Sequence, residues 1–197
     1  MKVVAATGNA HKLREMRAIF PAWEILSEGQ AGFTGEVEET GETFAENALL
    51  KARAVSRATG LPALADDSGL CVDALGGAPG VETAYYAGPS ATAAENRAKL
   101  LAALEGVPAE KRGAHFVCLL LLIAPDGSER VFEGKCEGVI TRAEAGTGGF
   151  GYDPVFAPHG FSATFAELGA EEKDRLSHRG NAFARLAAFF GTGADAA

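Results

Sequence analysis

The sequence predicts an α/β fold, a mixed β-sheet with helices packed on it, and three features carry that prediction. The chain opens by alternating short apolar runs with helical spacing. Two long apolar-rich runs joined by turn residues follow later. Helical spacing then returns at the end. Strand–helix alternation implies parallel pairing and a turn-linked pair implies antiparallel pairing, so the sheet is expected to be mixed.

Taken in order, Lys2–Ala6 is an apolar run of strand length. Leu13, Met16, Arg17 and Phe20 fall at helical spacing until Pro21 stops the pattern, and Trp23–Leu26 reads as a second strand. The acidic, glycine-containing stretch 31–41 reads as loop. Phe44, Ala48, Ala52 and Val55 share one helical face, with Gly60 and Pro62 ending it. A brief strand, 63–65, runs into Asp66-Asp67-Ser68-Gly69, and 73–90 is irregular, dense in Gly, Pro and Tyr. Thr92 and Glu95 form a capping box for a helix reaching about Leu104. The runs 115–124 and 130–140 read as a hairpin closed by Pro125-Asp126-Gly127. A glycine-rich loop, 146–153, and a short strand at 155–156 precede two helical stretches, 170–176 and 180–190. Residues 1–190 are expected to form one domain and 191–197 a frayed tail.

Composition narrows the function. At 197 residues with 47% hydrophobic and 22% charged side chains, the chain is an ordinary globular protein. Eighteen basic against 26 acidic residues leave a net charge of −8, the wrong sign for a protein that neutralises a nucleic-acid backbone, though not for one holding a small anion with a few local cations. No apolar run approaches membrane-spanning length, and the opening segment is too short for a secretory signal. Three widely spaced cysteines without a Cys-x-x-Cys pair read as reduced thiols, with Cys118 in the core, and point to a cytoplasmic protein.

Four clusters could carry chemistry. Thr7-Gly8-Asn9-Ala10-His11-Lys12 joins a strand to a helix, where unpaired N–H groups and the helix dipole favour phosphate; the plainer reading is an Asn9 N-cap, a solvated Lys12 and a polar His11. Glu36, Glu38 and Glu39 with Asp66-Asp67 offer hard oxygen ligands for Mg²⁺. Against this, the glutamates could simply favour the following helix start, and Asp-Ser-Gly is also turn chemistry. Lys51 shares a helical face with Asn47 and alone would be surface. Gly148-Gly149-Phe150-Gly151-Tyr152-Asp153-Pro154 could present an aromatic ring to a planar ligand or simply bury Phe150. Ser177 is a reasonable N-cap ahead of His178 and Arg179, and an arginine fork can donate to a carbonyl or phosphate.

Together these runs resemble the inosine/xanthosine triphosphate pyrophosphatase family. The matching motifs are Thr7-Gly8-Asn9-x-x-Lys12, Glu38-Glu39-Thr40-Gly41 with Thr43-Phe44 and Glu46-Asn47-Ala48, Ala65-Asp66-Asp67-Ser68-Gly69-Leu70, Ala74-Leu75-Gly76-Gly77-Ala78-Pro79-Gly80, Gly146 to Pro154, and Glu172-Lys173 with Ser177-His178-Arg179-Gly180. They stand in family order across nearly the whole chain.

The resemblance implies an elongated mixed sheet flanked by helices, two lobes enclosing a central cleft, and a homodimer. It implies Mg²⁺-dependent hydrolysis of ITP, dITP and XTP, to the monophosphate and pyrophosphate. By position, Thr7, Gly8, Asn9, Ala10, His11, Lys12 and Lys51 would hold the triphosphate, and Glu39 and Asp67 the metal. Asp67 would also accept the proton of the attacking water. Ser68 would lie beside the substrate, and Phe150, Gly151, Tyr152, Asp153, Lys173, His178 and Arg179 would enclose base and sugar. Two alternatives remain at this stage, a pyrophosphatase for modified or pyrimidine nucleotides and a nucleotide-binding module without turnover.

Overall fold

In the computed structural model of the protein, residues 1–191 are described, apart from the side chain of His11. The expectations for His11 and for the tail from 192 to 197 therefore lie outside the described residues. The chain forms strands β1 (Lys2–Ala6), β2 (Glu24–Ser27), β3 (Ala63–Val72), β4 (Gly113–Ile123), β5 (Glu129–Ile140) and β6 (Phe156–Pro158). Its α-helices are α1 (Ala10–Ile19), α2 (Phe44–Thr59), α3 (Ala93–Ala103), α4 (Ala170–Leu176) and α5 (His178–Phe189). The strands make one mixed sheet in the order β2-β1-β3-β4-β5-β6. β1 pairs in parallel with β2 and β3, and β5 pairs antiparallel with β6.

Two compact units divide the chain. The first comprises 1–67, 118–133 and 182 onward, and the second 68–117 and 134–181; β3, β4 and β5 each contribute residues to both. In the first unit β1, the start of β3 and the end of β4 are apolar on both faces, as a sheet covered on both sides requires. Alternation then sorts the side chains. Val3, Ala5, Leu64, Cys118, Leu120 and Leu122 pack with Met16 and Phe20 of α1 and its flank and with Phe183 and Leu186 of α5. Their neighbours Val4, Ala6, Ala63, Ala65, Leu119 and Leu121 pack with Ala48, Ala52 and Val55 of α2. The second unit has its own core, in which Leu70, Leu100, Phe116, Ile140, Tyr152, Phe156 and Phe165 are buried together.

Local signals placed the helix ends well. Thr92 with Glu95 makes the expected capping box, and Thr43 with Glu46 makes a second one at the start of α2. Gly60 ends α2 at φ +68, a conformation that costs a residue without a side chain little. Ser177 Oγ accepts from Gly180 N at 2.9 Å, as an N-cap should, although α5 begins at His178 rather than Gly180.

The main correction concerns β3. It continues without a break through Asp66-Asp67-Ser68-Gly69, so those residues form neither a turn nor a strand end. Turn propensity was overridden by pairing and by the core residues Leu70 and Val72 beyond it. None of the cysteines is in a disulfide. Burial pushes the Cys71 thiol up and that of Cys136 up to about 11, so neither is a ready thiolate.

One buried charge helps hold the second unit together. Arg112 is 4% exposed. It donates to the carbonyls of Ile140 (2.8 Å), Leu104 (2.8 Å) and Thr141 (2.7 Å), tying the end of α3 to the end of β5. Replacing it with Met removes three hydrogen bonds to carbonyls, of which Leu104 keeps the Val107 N–H at 3.1 Å, and should destabilise the protein by about 3 kcal/mol, with Arg112→Lys intermediate; the urea unfolding midpoint measures both.

Candidate active site

The acidic pair on β3 is organised by strand alternation. Successive side chains of a strand leave on opposite faces. Asp66 therefore follows Leu64 to the face that α1 covers, and Asp67 follows Ala65 to the face that α2 covers. Each meets a lysine from its own helix. Lys12, in the first turn of α1, places Nζ 2.7 Å from Asp66 Oδ2, where Asp66 is 1% and Lys12 19% exposed. Lys51, on α2, places Nζ 3.6 Å from Asp67 Oδ1 and also donates to the Asp66 carbonyl at 3.0 Å.

Glu39 reaches the same lysine from a segment without regular structure, its Oε2 lying 2.9 Å from Lys51 Nζ. That segment is anchored behind Glu39. Asn47, 2% exposed on α2, accepts from Gly41 N at 2.7 Å. A Cβ on Gly41 would sit 2.6 Å from Glu46 Cβ and 2.7 Å from Asn47 Oδ1, so only glycine allows this approach. Asn47 lies in the run Glu46-Asn47-Ala48, but its anchoring role is visible only in three dimensions. Glu36 and Glu38 are exposed and stay outside this arrangement.

Burial is the largest influence on Asp67 and raises its pKa above the ordinary carboxylate value. Lys51 and Lys12 oppose the rise, while Glu39 and Asp66 add to it. Glu28 also feels Lys51, and burial raises its pKa too, a neighbour the sequence did not single out. Among the described residues, no three His, Cys, Asp or Glu side chains form a ready metal cluster.

At the start of α1, Thr7 Oγ1 accepts from Asn9 N at 3.1 Å, and Asn9 Oδ1 accepts from Lys12 N at 3.4 Å. The Asn9 cap thus exists, but Lys12 is an engaged cation rather than a solvated one. Gly8, Asn9 and Ala10 are exposed, and a Cβ on Gly8 would meet nothing, so space is open beside this turn.

The second unit holds the remaining predicted residues. Phe150 is not buried; the residue is 63% exposed, with Lys173 Nζ 4.6 Å from the ring centre. Asp153, 4% exposed, accepts from Phe150 N and from Lys173 Nζ, each at 2.6 Å. A Cβ on Gly149 would run into that carboxylate. Tyr152 turns inward: it is 3% exposed and its hydroxyl donates to the Thr83 carbonyl at 3.0 Å. Burial raises its pKa, so it stays a neutral donor, and what it offers outward is backbone. His178 stacks on Phe116 with ring centres 4.9 Å apart, Arg179 follows it in the first turn of α5, and Ser68 is the half-buried residue after Asp67. Among the described residues, no helix is long and apolar enough to cross a membrane.

Comparison with known proteins adds the context. A model of the Ham1 family matches residues 3–189. The chain is 51% identical over 189 residues to a dITP/XTP pyrophosphatase of Streptomyces coelicolor, with 94% of each covered. It is 50% identical over 189 residues to one of Escherichia coli, covering 94% of this chain and 95% of that one. The solved Ham1 protein of Staphylococcus aureus superposes with a TM-score of 0.91 at 39% identity, covering 96% of this chain and 98% of that one. A solved nucleoside-triphosphatase / dITP/XTP pyrophosphatase from Mycobacterium abscessus gives 0.83 at 48% identity over 94% and 98% of the two chains.

The lysine at the centre of the acidic cluster yields a pH prediction. A carboxyl whose folded pKa is raised binds more protons folded than unfolded between its ordinary and its raised pKa, so stability falls as pH rises through that window. Lys51→Met removes the largest lowering influence on Asp67 and extends the window upward. The variant should therefore lose more stability at neutral pH than at acid pH, because the added loss accrues as pH rises through the extended window. Urea unfolding at the two pH values, with carboxyl NMR of Asp67, checks it.

Proposed function

Because the chain belongs to the Ham1 family, we propose that it hydrolyses the deaminated purine nucleotides dITP, XTP and ITP to the monophosphate and pyrophosphate, removing them from the nucleotide pool. The observation that carries this reading is the approach of Glu39 and Asp67 to one ammonium, with Asp66 held by a second. A binding module needs no such carboxylates, since backbone and lysines suffice for phosphate.

The donor set fits Mg²⁺. Glu39 and Asp67 present carboxylate oxygens within 3.6 Å of a point where a cationic nitrogen already sits. Mg²⁺ takes one or two carboxylates and fills its shell with water and phosphate oxygens. When bound, it supplies neutralisation of phosphate charge and acidification of water.

The protein's own groups do the rest. Thr7 to Lys12 and Lys51 hold the polyphosphate, and Ser68 borders it. Asp67 takes a proton from the water whose oxygen bonds to the α-phosphorus, while the bond from that phosphorus to the bridging oxygen breaks and pyrophosphate leaves with the electron pair. Asp66, 1% exposed and paired with Lys12, is poorly placed to meet that water. Phe150 offers a stacking face, and Gly151, Asp153, Lys173, His178 and Arg179 complete the surroundings of base and sugar. Donors from Arg179 and the His178 backbone suit a 6-oxo group. Against adenine's amino group they face other donors, a mismatch worth up to a factor of ~10⁴. The enzyme acts in this reading as a cytoplasmic homodimer.

Pyrophosphate release measured on ITP, XTP, GTP and ATP, with and without Mg²⁺, tests the proposal. ITP and XTP should be preferred and Mg²⁺ required; equal rates on ATP would overturn the substrate assignment. Asp67→Asn should lower kcat by about 10²–10⁴, and near-normal turnover at saturating Mg²⁺ would remove both roles given to Asp67. Arg179→Ala with an unchanged ITP-to-ATP preference would take arginine out of the discrimination.

A further inference from the structure

Arg97 lies on α3, its side chain 15% exposed. It donates through Nη1 to the Gly151 carbonyl at 2.8 Å, and its Nε forms an ion pair with Glu144 Oε1 at 2.9 Å. Glu144 stands where the glycine-rich loop leaves β5, and Gly151 follows Phe150 within it. A single guanidinium from another element therefore grips the loop at two points seven residues apart in sequence.

The other handles of this loop are also taken. Ala145 N donates to Pro154 O at 2.9 Å and Gly148 N to Ala166 O at 3.0 Å. Phe150 N is held by Asp153, and the Tyr152 hydroxyl by Thr83. Gly151 sits at φ +58 inside a turn closed by Asp153 N, which donates to the Phe150 carbonyl at 3.1 Å. Arg97 adds a side-chain donor from another element to the central carbonyl of that turn. The residue before it, Asn96, is 3% exposed and bonds the Ala87 amide at 2.7 Å and the Ala84 carbonyl at 3.0 Å, so α3 is itself anchored.

We propose that Arg97 is a positioning residue for base selectivity. It touches no substrate; it fixes the Gly151–Tyr152 peptide, and with it the exposed Phe150 ring, in the orientation that the base meets. This rests on the proposed function, in which that loop borders the base. Selectivity depends on donors that cannot turn away from a mismatched amino group, and a loop free to shift would re-form hydrogen bonds with the wrong base. Arginine suits the task because its planar fork holds two partners in a fixed relative geometry, whereas the donors of lysine rotate at the end of a flexible stem.

The test is steady-state kinetics of Arg97→Ala and Arg97→Lys on ITP and ATP with Mg²⁺, with inhibition by inorganic tripolyphosphate as a probe of the phosphate-binding groups alone. For Arg97→Ala the KM for ITP should rise about tenfold, kcat should stay within about twofold, and the ITP-over-ATP preference should drop about tenfold. Tripolyphosphate inhibition should be unchanged and Arg97→Lys should recover only part of the preference. An unchanged preference in a folded variant overturns the proposal. So does a fall in kcat shared equally by both nucleotides with weaker tripolyphosphate inhibition, because that marks a general structural role. If Arg97→Ala does not fold, Arg97→Lys decides: an intermediate preference supports the proposal and a wild-type preference overturns it. Wild-type enzyme without any preference for ITP would instead sink the underlying functional reading, which the first arm of the experiment shows separately.

Discussion

The site depends on the two-residue period of a β-strand acting on two adjacent aspartates. Side by side in a turn, Asp66 and Asp67 would compete for one cation. In the middle of β3 they leave on opposite faces, and each finds the lysine of the helix packed on its face. The same alternation that sorts Leu64 and Ala65 into different cores therefore also sorts the two charges. Glu39 joins from a segment held by Asn47 and by the absence of a side chain at Gly41, so three carboxylates and two ammoniums are fixed by backbone geometry as much as by their mutual attraction.

The second unit solves a different problem, keeping an irregular loop rigid without regular pairing. It does so with buried polar groups that each satisfy several partners. Asp153 accepts from an amide and an ammonium, Arg112 serves three carbonyls, and Arg97 bridges Gly151 and Glu144. Buried polar groups with several partners favour one conformation, because rearrangement costs hydrogen bonds or ion pairs in a low-dielectric interior. The outcome is an aromatic residue, Phe150, 63% exposed on a loop whose backbone is pinned.

Much of this was legible in the sequence, and the limits have physical causes. Helix ends followed from local chemistry: Thr92 with Glu95 and Gly60 act within a few residues and need nothing distant. The 115–124 and 130–140 runs fell within two residues of β4 and β5 because apolar runs flanking a turn carry their own signal. The extent of β3 was not legible, since Asp, Ser and Gly favour turns and only pairing with other strands overrides them. Glu39 and Asp67 stand out through motifs and Lys51 through its position in the family resemblance. Their meeting at one ammonium required the alternation of β3 and the position of α2. Tyr152 shows the reverse error, for a motif names a residue without saying that its ring points into the core. Arg97 left no sequence signal, because its carbonyl partner is 54 positions away.

The charge balance of the first cluster sets a condition on the proposed reaction. Lys12 and Lys51 are the cations that make burial of Asp66 and Asp67 tolerable, and they are also the groups that a polyphosphate would draw upon. An anion arriving alone would pull both ammoniums from the carboxylates and leave buried negative charge uncompensated, beside further negative charge. Glu39 and Asp67 would hold a divalent cation arriving with the phosphates, and it would supply the positive charge that the lysines give up. In the proposed reaction, a requirement for a divalent cation would follow from where the two lysines sit, without the metal having to perform the chemical step by itself.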